Sequence, residues 1–213
     1  MQSIFNSKDI QLLRLNTKAE RFLSLREELL RHTSRATEED LEEENPAFHQ
    51  ARRILLMALV YLIEADRNCG EMAKDFVLEL VTFNSLADWM RPFHRKQHPT
   101  MLSDLHVAEI SINLVLASEA LSELLSARDK ELIEAGLMER AVELILTEVE
   151  RSIWWTEAYN CNWCSLMYSA LGLTSLYLRE VSEVSLAEGR IRKALLRTGE
   201  PSLKFHPFWK RAL

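Results

Sequence analysis

The chain has 213 residues, 47% hydrophobic and 27% charged, which describes one folded domain with a sizeable core and excludes disorder, collagen and low-complexity sequence as general descriptions. Its five glycines, none of them before Gly70, compare with about 15 in an average chain of this length, so turns with positive φ, hairpins and phosphate-cradling loops are expected to be scarce. A formal charge of −6 argues against a surface that as a whole attracts nucleic acid or anionic lipid, and Cys69, Cys161 and Cys164 form no disulfide framework.

In chain order, Ile10, Leu12, Leu13 and Leu15, then Phe22, Leu25, Leu29 and Leu30, recur at helical spacings and predict two opening amphipathic helices. Residues 37–44 crowd carboxylates into an acidic connector, read as a solvated face. Pro46, placed after Asn45, starts a helix whose stripe runs through Phe48, Ile54, Leu55, Ala58, Leu59 and Leu62, and this helix is expected to be central. Asn68, Cys69 and Gly70 predict its break, after which Met72, Phe76, Leu80 and Phe83 carry the return helix of a hairpin. Arg91 to Thr100, basic and bounded by prolines, predicts an exposed loop.

Ser103 or Asp104 caps the next predicted helix, whose stripe includes Leu105, Ala108, Ile112, Val115, Leu116 and Leu121. Ser126 with Asp129 three residues on marks another start, leading through Ile133, Leu137, Val142, Ile145 and Val149. The stretch Trp154 to Trp163 interrupts the pattern, Leu166 to Tyr177 resumes it, and Val184, Ile191, Ala194 and Leu195 close the series. With no sustained period-two alternation, the expected fold is all-α: antiparallel helical hairpins, six to nine helices in all. The expected divisions are 1–45 for N-terminal helices and acidic connector, 46–198 for the helical core, and 199–213 for a tail with Phe205, Pro207, Phe208 and Trp209. The longest apolar run, Ile54 to Ile63, is too short to span a bilayer and reads as a buried helix. The chain as given opens without a secretory signal pattern, which reads as cytoplasmic, or as periplasmic or secreted if an upstream segment was removed.

The densest set of functional side chains is Trp154, Trp155, Glu157, Tyr159, Asn160, Cys161, Asn162, Trp163 and Cys164 at a helix junction. The plain reading is a capped helix start with packed tryptophans; the sharper one is a carbohydrate subsite, with indoles stacking on sugar faces and carboxamides fixing hydroxyls or a carboxylate. Arg91, His94, Arg95, Lys96 and His98 add a basic patch suited to an anionic ligand. His94 and His98 with Cys161 and Cys164 also match the local spacings of a zinc site, a weaker reading because the pairs lie far apart in the chain. No metal and no cofactor is assigned. A helix-turn-helix module, a di-iron bundle, a nucleophile elbow and a phosphate loop all lack their sequence signatures.

Trp89, the segment Ser103-Asp104-Leu105-His106-Val107-Ala108-Glu109-Ile110, the segment Leu124 to Ile133, the Trp154-Trp155 pair, and Asn160-Cys161-Asn162-Trp163 leading into Ser169 to Leu173 together resemble the helical domain of heparinase II/III-type polysaccharide lyases. The resemblance covers roughly residues 50 to 196. It implies a partial (α/α) toroid that binds a uronic-acid-containing acidic polysaccharide or oligosaccharide and, in an active member, cleaves it by β-elimination. On that resemblance Asn160 and Asn162 neutralise the uronate carboxylate, and Trp163, Trp155, Trp89, Arg91, His94, Arg95 and His98 line the substrate path, with no nucleic acid or membrane partner. The motif here is Asn-Cys-Asn-Trp where the family has Asn-Asn-Trp-Asn. No segment from Glu180 to Leu213 matches the loop that carries the family's tyrosine acid/base, Tyr168 and Tyr177 lie on a core stripe, and no histidine is assigned as its base. Enzymatic activity is therefore left open beside a non-enzymatic interaction domain or an inactive truncated relative.

Overall fold

The computed structural model describes residues 7–18, 45–82, 89–158 and 161–181, with 23, 24, 27 and 31 singly or in pairs. The described residues are helical and turn structure with no strand, so the all-α class holds. The stripe residues of the second opening helix, Phe22, Leu25, Leu29 and Leu30, together with the acidic connector, Phe83, Asn160, the segment from Val184 to Leu195 and the aromatic tail, lie outside the described residues.

Helix α1 (Ser7–Asn16) packs on α2 (Pro46–Glu64) and sends Arg14 Nε to the carbonyl of Leu62, 2.9 Å away, one of the end carbonyls that α2 cannot satisfy internally. Asn45 and Pro46 open α2 as expected, the Asn45 side chain accepting from Phe48 N. The break differs from expectation. Helix α2 ends at Ala65, in the left-handed region at φ 58°, and α3 (Arg67–Thr82) starts two residues later, its Cys69 N–H donating to Asp66 Oδ1 at 3.1 Å. Gly70 is thus inside α3, where a Cβ would stand 2.7 Å from both Tyr61 and Leu124 side chains. Its missing side chain serves close helix approach, not a turn.

The segment expected as a loop contains a short helix, α4 (Pro92–Gln97), with Pro92 in the first turn. Helix α5 (Leu105–Ala120) follows, capped by Asp104, while the neighbouring Ser103 is buried and used elsewhere. Ser126 and Asp129 form a reciprocal capping box at the start of α6 (Ala127–Leu137), which passes through a π-helical turn (Met138–Val142) into α7 (Glu143–Glu150). After a 3₁₀ turn (Trp154–Glu157), α8 (Asn162–Val181) completes the described chain.

Helix directions follow from the contacts. The starts of α2 and α5 meet, Asn45 lying 3.0 Å from His106 in the first turn of α5, and the first turn of α8 lies against α4 and the α5 cap. Hence α2, α5 and α8 run the same way, side by side, and α3 and α6–α7 run back in a second layer, α3 packing on both α2 and α6. Helix α5, flanked by α2 and α8, buries residues on every side, among them Ile110, Ser111, Leu114, Val115, Ala117 and Ser118, so it takes the central place expected of α2. Each large apolar side chain so buried contributes about 1.5–3 kcal/mol. No helix among the described residues is long and apolar enough to cross a membrane.

Candidate functional site

The end of the bundle where α2, α5 and α8 begin gathers most of the buried polar side chains. Asp104, fully buried, organises it. Its Oδ1 accepts from the N–H groups of His106 (3.0 Å) and Val107 (3.2 Å), the usual work of a helix cap. Its Oδ2 accepts from Arg91 N at 3.0 Å and lies 2.8 Å from His94 Nδ1. An acceptor-only carboxylate there assigns the proton to Nδ1 and leaves Nε2 as the basic nitrogen of His94. The His94 ring packs on Trp163, centroids 5.4 Å apart, and Trp163 packs on Trp154 at 5.3 Å. Trp154 is 56% exposed, and Phe93 beside His94 is also exposed, so the cluster opens to solvent through an aromatic face.

His106 lies deeper. Its ring stacks on Phe48 (4.0 Å, 12°), its Nε2 is 2.6 Å from an Arg91 guanidinium nitrogen, and its Nδ1 is 3.0 Å from Asn45 Nδ2. Asn45 cannot turn its oxygen to His106 without loss, because Oδ1 accepts from Phe48 N and Nδ2 also donates to Trp89 O at 3.1 Å. Both neighbours of the imidazole therefore offer hydrogens to a ring with a single lone pair; the shorter Arg91 contact takes it on Nε2, and Asn45 Nδ2 lies against the Nδ1 side without a hydrogen bond to it. Burial, then the Arg91 charge, lower the His106 pKa from 6.5 to about 4, with Asp104 opposing them. Neutral His106 thus acts as an acceptor that holds the Arg91 side chain.

Beneath this cluster Glu148, fully buried near the end of α7, accepts from Leu102 N (2.6 Å), Ser103 N (3.2 Å), Ser103 Oγ and Trp155 Nε1 (3.2 Å). Burial raises its carboxyl pKa and these donors pull it back part of the way. The arrangement ties α7, the start of α5 and the 3₁₀ turn into one floor.

Of the residues expected to line a sugar path, Arg91, His94 and Trp163 come together. Trp89 and Trp155 do not: both indoles are fully buried core and present no face to a ligand. Arg95 is half-buried in α4 with its Nε lacking a hydrogen-bond partner, and His98 is exposed past the end of α4, its N–H closing that helix on His94 O at 2.8 Å. Asn162 is exposed at the start of α8, and Asn160 lies outside the described residues. The zinc set is not assembled, since Asp104 occupies His94 Nδ1, Cys164 is buried, and no group of three or more potential ligands converges among the described residues.

Sequence reasoning assigned no site role to Asn45, Asp104, His106 or Glu148. Two of them, Asn45 and Asp104, were legible as helix caps, and a cap carries a second oxygen or an amide that can serve another partner. Glu148 gave no signal beyond a carboxylate on an otherwise apolar stripe. No protein-family model, curated protein or solved structure matches this chain.

Proposed function

We propose that this end of the bundle binds a uronic-acid-containing polysaccharide, with Trp154 and Trp163 stacking on sugar faces and Arg91 receiving a carboxylate. The observation that carries the reading is the run Trp154–Trp163–His94–Asp104–Arg91, an exposed aromatic face joined by direct contacts to the backbone of Arg91, whose guanidinium is held by His106. Arg91 gives a single nitrogen to His106 and keeps further N–H donors in a planar fork suited to a carboxylate. The parallel helix starts bring positive dipole ends to the same side, which favours an anion. The partial toroid implied by the lyase resemblance belongs to this proposal: parallel helices in one layer with return helices in the other are what such a ring segment needs.

β-Elimination is the finer part of the proposal. His94 Nε2 takes the proton from the carbon beside the uronate carboxylate, the freed electron pair forms the carbon–carbon double bond, and the glycosidic C–O bond breaks. The departing oxygen then takes a proton, from the same imidazolium or from water. Asp104 keeps the His94 tautomer that makes Nε2 the base. In this reading Asn162, exposed at the start of α8 and next to Trp163 in the chain, adds a neutral donor to the carboxylate. The burial of Trp89 and Trp155 favours the second reading, an interaction domain in which these tryptophans are only core.

Incubation with a panel of uronate polysaccharides, following binding and the ultraviolet absorbance of an unsaturated product, tests both parts. Trp154→Ala, at an exposed position, is expected to keep the fold and weaken binding about tenfold, the equivalent of ~1.4 kcal/mol from a lost stacking contact. Absorbance growth abolished by His94→Gln supports elimination. Binding without growth supports a carbohydrate module, and no binding to any member of the panel overturns the reading in favour of the interaction domain.

A further inference from the structure

We infer that Cys161 and Cys164 form a dithiol that closes to an intramolecular disulfide by exchange with a small disulfide of the glutathione class. The inference stands independently of the carbohydrate reading. Cys161 occupies the cap position of α8: its carbonyl accepts from Ser165 N at 3.5 Å, and its sulfur accepts from Trp163 N at 3.3 Å. Cys164 is three residues on, in the first turn.

The same two positions are occupied at the start of α6 by Ser126 and Asp129, whose side chains touch at 2.8 Å between Oγ and Oδ2. A side chain that folds back over a helix start to meet the backbone N–H groups is brought onto the third residue's side chain. In α8 the Cys161 sulfur folds back in the same sense, onto the N–H of the second helical residue, Trp163, so a disulfide to Cys164 would close over that one helix start. Their burial also differs in the useful sense. Cys161 is half-buried and reachable, whereas Cys164 is buried among core residues, its thiol pushed up to about 11 by that burial and by the nearness of Cys161. Cys161 is therefore the entry thiol and Cys164 the resolving one.

The exchange balances within the named reagents. The Cys161 sulfur attacks one sulfur of the small disulfide, whose S–S bond breaks to release one thiol and leave a mixed disulfide on Cys161. Cys164 gives up its proton, attacks the Cys161 sulfur, and expels the second thiol. Two protein thiols are oxidised and one small disulfide is reduced to two thiols, which carry off both protons. Cys69 does not compete: it lies in the first turn of α3, at the other end of the bundle, with its thiol donating to Met57 O at 3.5 Å. Trp163 stands between the two cysteines and touches both His94 and Trp154, so closure is felt at the aromatic face.

The test treats the full chain with oxidised glutathione, alkylates remaining thiols and maps the product by mass spectrometry. The expected product is lighter by two hydrogens, with the Cys161 and Cys164 peptides linked, their alkylation reduced more than tenfold, and Cys69 alkylated. Cys164→Ala, which keeps that position apolar, is expected to trap glutathione on Cys161. A wild-type chain that retains three alkylatable thiols, or that ends with a stable glutathione adduct on Cys161, overturns the inference. So does a Cys161→Ser variant that takes up glutathione on Cys164 as fast as the wild type reacts.

Discussion

Where α2 gives way to α3 and α5 to α6, the new helices are started by residues three positions away: Asp66 serves Cys69, and Ser126 serves Asp129. At the opposite end the starts of α2, α5 and α8 are joined across the molecule, with Asn45 reaching Trp89 and His106, 44 and 61 residues on, and Ser103 reaching Glu148, 45 residues on. The caps at the first end are local and wet, those at the second non-local and dry. A local cap secures only its own helix, whereas a buried contact between distant segments fixes how helices sit against each other. A ligand site needs the second kind, because its groups come from different elements and must be held in register.

Glu148→Ala breaks this contrast hardest. It strands the N–H groups of Leu102 and Ser103, the Ser103 hydroxyl and the Trp155 indole, and is expected to cost about 3 kcal/mol or more in chemical denaturation. Glu148→Gln, which keeps one acceptor, is expected to cost less; equal losses would show that packing, not hydrogen bonding, holds the floor.

The next effect is the pH dependence that the dry end contributes. His106 is held neutral with its pKa lowered to about 4, so in the window between 6.5 and 4 the unfolded chain binds a proton that the folded chain refuses. Stability carried by neutral His106 is fully present above pH 6.5 and is lost as pH falls towards 4, by about 2–3 kcal/mol. Burial acts on Glu148 in the opposite sense: a raised carboxyl pKa favours the fold as acid is added. The measurement is therefore the difference between wild type and His106→Gln, unfolded by denaturant at pH 7 and at pH 4. A constant difference across that range would refute the assignment.

Paired cap deletions give the smallest and sharpest comparison. Asn45→Ala removes a cap together with its buried hydrogen bond to Trp89 O, and is expected to cost about 2 kcal/mol; Ser126→Ala removes an exposed cap and is expected to cost about 1 kcal/mol. Thermal unfolding of the two variants reads the gap directly, and a reversed order would mean that the dry end is held by its apolar contacts alone.

The same division separates what could be read from the chain and what could not. Helix periods, the Asn45-Pro46 start, the Asp104 cap and the Ser126–Asp129 box all depend on neighbours within one turn, and the structure contains them. The His94–Asp104 and Arg91–His106 contacts depend on how a turn of chain folds back on itself, which spacing does not encode. Gly70 misled because a glycine in a polar tripeptide reads as a breaker, while its cause is the approach of Tyr61 and Leu124 from other helices. Helix α4 was hidden by its polar composition, although Pro92 stands at its start as Pro46 does in α2. The tryptophans divided for a related reason: type and spacing do not distinguish the indoles sunk in the core from Trp154 on the surface.

The π-helical turn between α6 and α7 acts as a phase adjuster. Upstream of it, α6 is seated by Gly136, where a Cβ would stand 2.6 Å from Val81 Cβ; within it, Arg140 Nε donates to Val81 O at 3.2 Å; beyond it, Glu148 must point at Ser103. A straight α-helix advances about 100° per residue, so winding residues 138–142 as regular α-helix would rotate everything downstream by about that angle, whereas deleting one residue from 138–142 restores regular winding and leaves the downstream face nearly in place. In the first case Glu148 would swing out of the floor while Gly136 stayed seated; in the second both would keep their partners. The single surplus residue is taken up without a net turn, so one continuous helical element keeps both fixed partners in phase.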